Sequence, residues 1–149
     1  MKGYSTTEFG EKSAIARVVE TDISLKDAVN IAHYIRGMTL ERAKDVIEKG
    51  IRKELPVPYF RYLDSVSHRK GMGPGRYPVK ALKEFRAALQ NAEANADFKS
   101  LNTENMVVKH VAASKGRVLK KFTPKAYGRA GANFKDLINI EVVLQEVEE

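Results

Sequence analysis

Between Glu104 and Asp136 the chain carries no acidic residue and eight cations: Lys109, Lys115, Arg117, Lys120, Lys121, Lys125, Arg129 and Lys135. A block of like charge that long repels itself when alone. What it can do chemically is neutralise a dense polyanion, and nucleic acid is the commonest one. Inside the block stands Lys120-Lys121-Phe122-Thr123-Pro124-Lys125-Ala126-Tyr127-Gly128-Arg129-Ala130-Gly131. Its cations reach phosphates, and the flat faces of Phe122 and Tyr127 can stack on bases or sugars. Pro124, Gly128 and Gly131 let the backbone turn and approach closely.

A second acid-free window runs from Ser65 to Lys83 and holds His68, Arg69, Lys70, Arg76, Lys80 and Lys83 around Gly71, Gly73 and Gly75. A glycine-rich loop ahead of a helix can offer amides to a phosphate. The spacing is not GxGxxG, no strand is evident before it and no Gly-Lys-Ser/Thr follows, so a clamp on a nucleic-acid backbone is expected rather than a mononucleotide site.

Bond-making chemistry has little foothold. His33, His68 and His110 fall on different expected elements at no metal-ligand spacing, and no Ser/His/Asp arrangement can be drawn. Cysteine is absent, which removes disulfides, thiolate metal sites and Cys nucleophiles together. No enzyme, cofactor or metal is expected. The net charge is +7, but its distribution is more telling than its total: Glu141 to Glu149 holds four glutamates and no base while the middle holds the excess.

With 149 residues and 43% hydrophobic content, the chain is expected to be one domain with a core of its own. The longest apolar runs, such as Val142-Val143-Leu144, are far short of the ~20 residues a membrane helix needs. Met1 to Ser13 shows no apolar leader, and a cytoplasmic protein is the default expectation.

The elements that must carry these residues follow from pattern. Ala14 to Val19 has strand character. Ser24 caps a helix whose apolar face is Leu25, Ala28, Val29, Ala32 and Ile35, closed by Gly37. Thr39 restarts a helix with Leu40, Ala43, Ile47 and Ile51 inward. Its other side carries Asp45/Lys49 and Glu48/Arg52 at i,i+4 spacing and is expected to be solvated. Pro56 and Pro58 are expected to end it, with an irregular stretch from Tyr59 to Tyr77. Pro78 suits the first turn of a third helix, to about Asn95, with Val79, Leu82, Phe85, Leu89, Ala92 and Ala96 buried. Met106 to Ala113 and Leu137 to Val147 are expected strands. The basic stretch between them is either an unusually long loop or a continuation of both strands into a ribbon. In the second case ~13 residues per arm give a finger of roughly 40 Å, too long to be stable by its own packing.

Several of these pieces resemble one family, the universal large-subunit ribosomal protein numbered twenty-two, in its archaeal and eukaryotic branch. Ile35-Arg36-Gly37 with Thr39-Leu40-Glu41-Arg42-Ala43 is similar to its first helix joint. Gly75-Arg76-Tyr77-Pro78 with Lys80, Asn91-Ala92-Glu93-Ala94-Asn95-Ala96 and Lys109-His110-Val111-Ala112-Ala113 resemble the archaeal branch, and Pro124 to Ala130 resembles the hairpin signature. The resemblance implies an α+β fold of three helices packed on a small three-stranded antiparallel sheet, with a long β-hairpin between the last two strands. The body would span about 14–112 and 136–147 and the hairpin about 113–135.

The resemblance further implies a structural constituent of the large ribosomal subunit that binds its ribosomal RNA, aids assembly, and touches neighbouring ribosomal proteins. The hairpin would line the nascent-peptide exit tunnel and meet the nascent polypeptide. The expected RNA-binding residues are His68, Arg69, Lys70, Arg76, Tyr77 and Lys80 in the loop. On the strand leading into the hairpin they are Lys109 and His110, and on the hairpin Lys115, Arg117, Lys120, Lys121, Lys125, Tyr127, Arg129 and Lys135. The expected tunnel-lining residues are Pro124, Lys125, Ala126, Tyr127, Gly128 and Arg129. The first helix departs from the family's more basic pattern, carrying Asp27 and Asn30 between Lys26 and Arg36. The alternative class is an architectural DNA-binding protein with a basic β-arm.

Overall fold

The computed structural model describes residues 4–6 and 10–147. The stretch Met1 to Ser13, expected to hold no apolar leader, lies partly outside the described residues, as do Glu148 and Glu149. The chain runs β1 (Ser13–Thr21), α1 (Leu25–Ile35), α2 (Leu40–Ile51), β2 (Val57–Pro58), β3 (His68–Arg69), β4 (Gly73–Arg76), α3 (Val79–Phe98), β5 (Met106–Pro124) and β6 (Ala130–Glu146). The main sheet is antiparallel with order β1-β6-β5. Three helices lie against it and a long hairpin leaves it, as expected.

Alternation on the central strand decides which face is buried. Ile140, Val142 and Leu144 of β6 align with Val18, Ala16 and Ala14 of β1 and with Ala113, Val111 and Val108 of β5. This face meets Ala28, Ile31 and Ile35 of α1 and Leu82, Phe85, Leu89 and Ala92 of α3 in one apolar core. Alanines on both sides, Ala14 and Ala16 against Ala88, Ala92 and Ala96, let α3 lie close to β1. The exposed edge of β1 is then capped from α3: Asn95 donates to Ile15 O at 2.8 Å and Lys99 to Ser13 O at 2.7 Å. An edge strand with its carbonyls occupied is a poor template for another chain.

Both expected N-caps form, Ser24 accepting from Asp27 N and Thr39 from Arg42 N. Gly37 takes φ +80, and its N–H reaches Val108 O at 2.8 Å while Val108 N reaches Met38 O at 2.9 Å. The joint between α1 and α2 is thus stitched to β5.

Several expectations are corrected. Helix α2 ends at Ile51, before either proline, because Lys53 enters the left-handed region at φ 63. There Glu54 N donates to Lys49 O at 2.9 Å and Lys53 N to Gly50 O at 3.1 Å, the paired bonds of a Schellman stop. The outer side of α2 is only partly solvated. Asp45 and Lys49 do pair, at 2.7 Å, but Glu48 turns from Arg52 to Arg86 of α3 at 3.0 Å, and Lys44 pairs with Glu93. Pro78 stands at the N-cap of α3, one position before its first turn, and the helix continues to Phe98. The stretch from Tyr59 to Tyr77 is not wholly irregular, since β2, β4 and β3 form a second small antiparallel sheet.

Candidate nucleic-acid interface

The basic stretch is a ribbon. β5 and β6 stay paired from Met106↔Glu146 out to Pro124↔Ala130. Lys125 N donates to Arg129 O at 2.7 Å to close the tip, with Ala126–Gly128 as a single 3-10 turn and Tyr127 at φ 59. None of the apolar core lies between Ser114 and Asp136. Beyond the body the ribbon packs Phe122 against Phe134, edge to face at 5.7 Å. The eleven residues from Ser114 to Pro124, nine of them paired, at ~3.3 Å each give an arm of roughly 35 Å.

The ribbon departs from the body between two bulges flanking Asn139 on β6. On one side Val19 and Glu20 oppose that single residue, and Glu20 N donates to its Oδ1 at 2.9 Å. On the other, Gly116 and Arg117 oppose Leu137. A Cβ on Gly116 would stand 3.2 Å from Leu137 O and 3.0 Å from Asn139 Nδ2, so a side chain there would require its neighbours to shift by a few tenths of an ångström. Bulges bend and twist a strand, which sets the ribbon's departure angle.

The cations sort into two groups. At the root, Lys115 pairs with Asp136 at 2.9 Å and Arg117 with Glu20 at 3.3 Å. Lys135 and Lys80 share Asp22 at 2.6 and 2.7 Å. Hydrogen bonds from Lys135 and then Lys80 hold the Asp22 carboxyl below the usual carboxylate range. Further out, Lys120, Lys121, Lys125 and Arg129 are exposed and have no ion pair among the described residues. Pro124, Ala126, Tyr127 and Gly128 share the exposed tip with them, Tyr127 being 93% exposed.

Other expected contacts are placed differently. Lys109 is the extra residue of a bulge in β5 and faces solvent, while His110 is turned inward against Glu141 at 3.2 Å and Ser5 Oγ at 3.0 Å. In the loop, His68 and Lys70 are exposed. Arg69 donates to Gly75 O at 3.3 Å and lies 5.2 Å over the Tyr77 ring, and Arg76 donates to Ser65 O. The structure therefore brings the distal hairpin cations together and assigns several root and loop cations to internal work. Sequence reasoning passes over Glu20 and Asp22, and over the loop Tyr59-Phe60-Arg61-Tyr62. Three aromatic residues and an arginine in four positions are the available signal for the loop.

The family described as ribosomal protein L22p/L17e matches residues 16–145. The chain belongs to this family. A large ribosomal subunit protein uL22 from Thermoplasma acidophilum is 65% identical over 146 residues, covering 98% of this chain and 96% of that protein. Those of Ignicoccus hospitalis and Methanopyrus kandleri are 44% and 43% identical, covering 93% and 91% of this chain and 91% and 88% of their own lengths. In this uL22-family member the resembling motifs have visible physical tasks. The Ile35-Arg36-Gly37 joint ties α1 to β5, with Arg36 also donating to Val111 O at 2.7 Å. In Asn91 to Ala96, two alanines pack on the sheet, Glu93 meets Lys44 and Asn95 caps β1.

Proposed function

We propose that this protein is a structural constituent of the large ribosomal subunit, cytoplasmic with it, and holds large-subunit ribosomal RNA through the distal hairpin and the β3–β4 loop. The observation that carries this is a ribbon roughly 35 Å long with no core of its own and, on its outer part, four cations without an ion pair among the described residues. An element of that shape is ordered by surroundings that supply anions along both arms, and a folded RNA does so. The uL22 names of the relatives support the subunit, and family membership supports a non-enzymatic role. The tip, Pro124 to Arg129, is proposed to line the exit tunnel beside the nascent polypeptide. Its support is the family resemblance together with the tip's exposure and reach.

Sedimentation of gently lysed cells through a sucrose gradient tests the assignment. Co-migration with the large subunit is expected; co-migration with the nucleoid would sink it in favour of a DNA-binding β-arm. For the tip, a photoreactive residue replacing Tyr127 is expected to cross-link a stalled nascent chain, and labelling of ribosomal RNA alone would remove the tunnel assignment.

A further inference from the structure

Phe60, Tyr62 and Leu63 are each nearly half exposed, at 47, 48 and 47%. Loops that merely connect do not usually hold aromatic rings rigidly in water, yet this one is fastened at almost every residue. Tyr59 N donates to Pro74 O at 2.9 Å, and its hydroxyl donates to Asp27. The amides of Phe60 and Arg61 donate to Asn30 Oδ1 at 3.0 and 3.1 Å, and Asn30 Nδ2 returns a bond to Arg61 O at 3.0 Å. Lys26 Nζ donates to Asp64 O at 2.8 Å, and Arg76 to Ser65 O. Tyr62 and Ser65 are held at φ 58 and 60, a conformation that costs a non-glycine residue free energy and persists only when its surroundings impose it.

Each of the two rings already has a flat partner on one side. Phe60 lies on the His33 ring with centroids 3.9 Å apart and the planes tilted by 33°, and the Arg61 guanidinium sits 5.8 Å over Tyr62. Beside them is a cleft of about 320 Å³ lined by Ala32, Ala113, His33 and Phe60, with Arg36 and Arg61 as its charged groups and no carboxylate. Ala112 and Ala113 of β5 both line it, just ahead of the segment where that strand leaves the body. Basic groups, flat rings and an absence of acid match an unpaired nucleotide better than a protein surface.

We infer that Phe60, backed by His33, and Tyr62 form a preorganised platform that stacks an unpaired RNA base beside the hairpin root, with Arg36 and Arg61 facing its phosphates. This rests on the RNA-binding function proposed above and adds a second kind of contact, to bases rather than to the backbone. Base stacking requires a strand that is not paired. The platform therefore distinguishes single-stranded from duplex RNA, which the hairpin's charges do not.

The test titrates the full-length protein with a mixed-sequence single-stranded RNA oligonucleotide and with a blunt duplex of equal length, across a range of salt. Phe60→Ala with Tyr62→Ala is expected to weaken single-strand binding by roughly tenfold or more. The salt slope and the duplex affinity should stay unchanged, and Phe60→Tyr should retain binding. Equal loss on both RNAs, or no loss on either while Lys120→Ala with Lys121→Ala weakens both, overturns the platform and leaves the RNA-binding proposal standing. A cross-link from this loop to a ribosomal protein rather than RNA in the purified subunit overturns it in favour of a protein neighbour. If the unaltered protein binds neither RNA, the underlying function fails as well. Thermal melts of the variants confirm folding.

Discussion

Asn30 has no exposed surface and uses its whole hydrogen-bonding capacity, donating to Lys26 O and Arg61 O and accepting from Phe60 N and Arg61 N. Replacing it with leucine keeps the number and branching of the side-chain heavy atoms and removes all four partners. Asn30→Leu is expected to destabilise the fold by about 2–4 kcal/mol, because several backbone groups lose their partners together. Urea titration should show a lower midpoint with unchanged slope, and a loss below about 0.5 kcal/mol, the level of an indifferent surface change, would contradict the role. This residue was not legible in the sequence. Helical periodicity placed Val29 in the apolar stripe, whereas the structure leaves Val29 half-buried and buries Asn30 and Ile31. A polar residue whose partners come from a loop about thirty positions away leaves no local signal. The orientation of His110 is not legible for a related reason: the bulge at Lys109 resets the alternation of β5, so Val111 faces the core and His110 faces Glu141.

Among the elements, the hairpin is attached to the body without being part of its core. Removing residues 119–135 and joining Val118 to Asp136, which oppose each other in the ladder, through a two-residue Asn-Gly turn preserves the register. The truncated protein is expected to keep the body's far-UV circular dichroism and to melt within about 4 °C of the full chain. The loss is confined to exposed pairs such as Lys135–Asp22, which water and salt screen and which add little to the body's stability. A collapse of the melting transition would show that ribbon and body fold as one unit and that the proposed division is wrong. Helix caps, the α1–α2 joint and the strands were legible because each has a local chemical signature. The stop of α2 at Lys53, the small β2–β4–β3 sheet and the bulges around Asn139 were not. They depend on backbone conformations that many residue types can adopt once tertiary contacts impose them.

At the scale of the whole molecule, the acid-free stretch announced a polyanion partner, yet the sequence could not tell which cations remain free to meet it. Two of the acids that occupy the root cations, Glu20 and Asp22, lie about a hundred residues before Arg117 and Lys135 and come alongside only when β1 pairs with β6. This division predicts a difference in counterion release. A lysine in water exchanges its share of the RNA's condensed ions on meeting a phosphate, and each such contact steepens the salt dependence by about 0.7 to 0.9. A lysine already beside a carboxylate instead trades one anion for another. Changing Lys120, Lys121, Lys125 and Arg129 together to alanine is therefore expected to reduce the slope of log affinity against log salt by roughly three. Changing Lys80, Lys115, Arg117 and Lys135 together should reduce it clearly less. Affinity should still fall in that second variant, because Glu20, Asp22 and Asp136 are left facing phosphate without their partners. Filter binding to large-subunit ribosomal RNA over a range of potassium concentrations measures both slopes. Equal reductions would mean that the root ion pairs open on binding and that the hairpin meets RNA along its entire length.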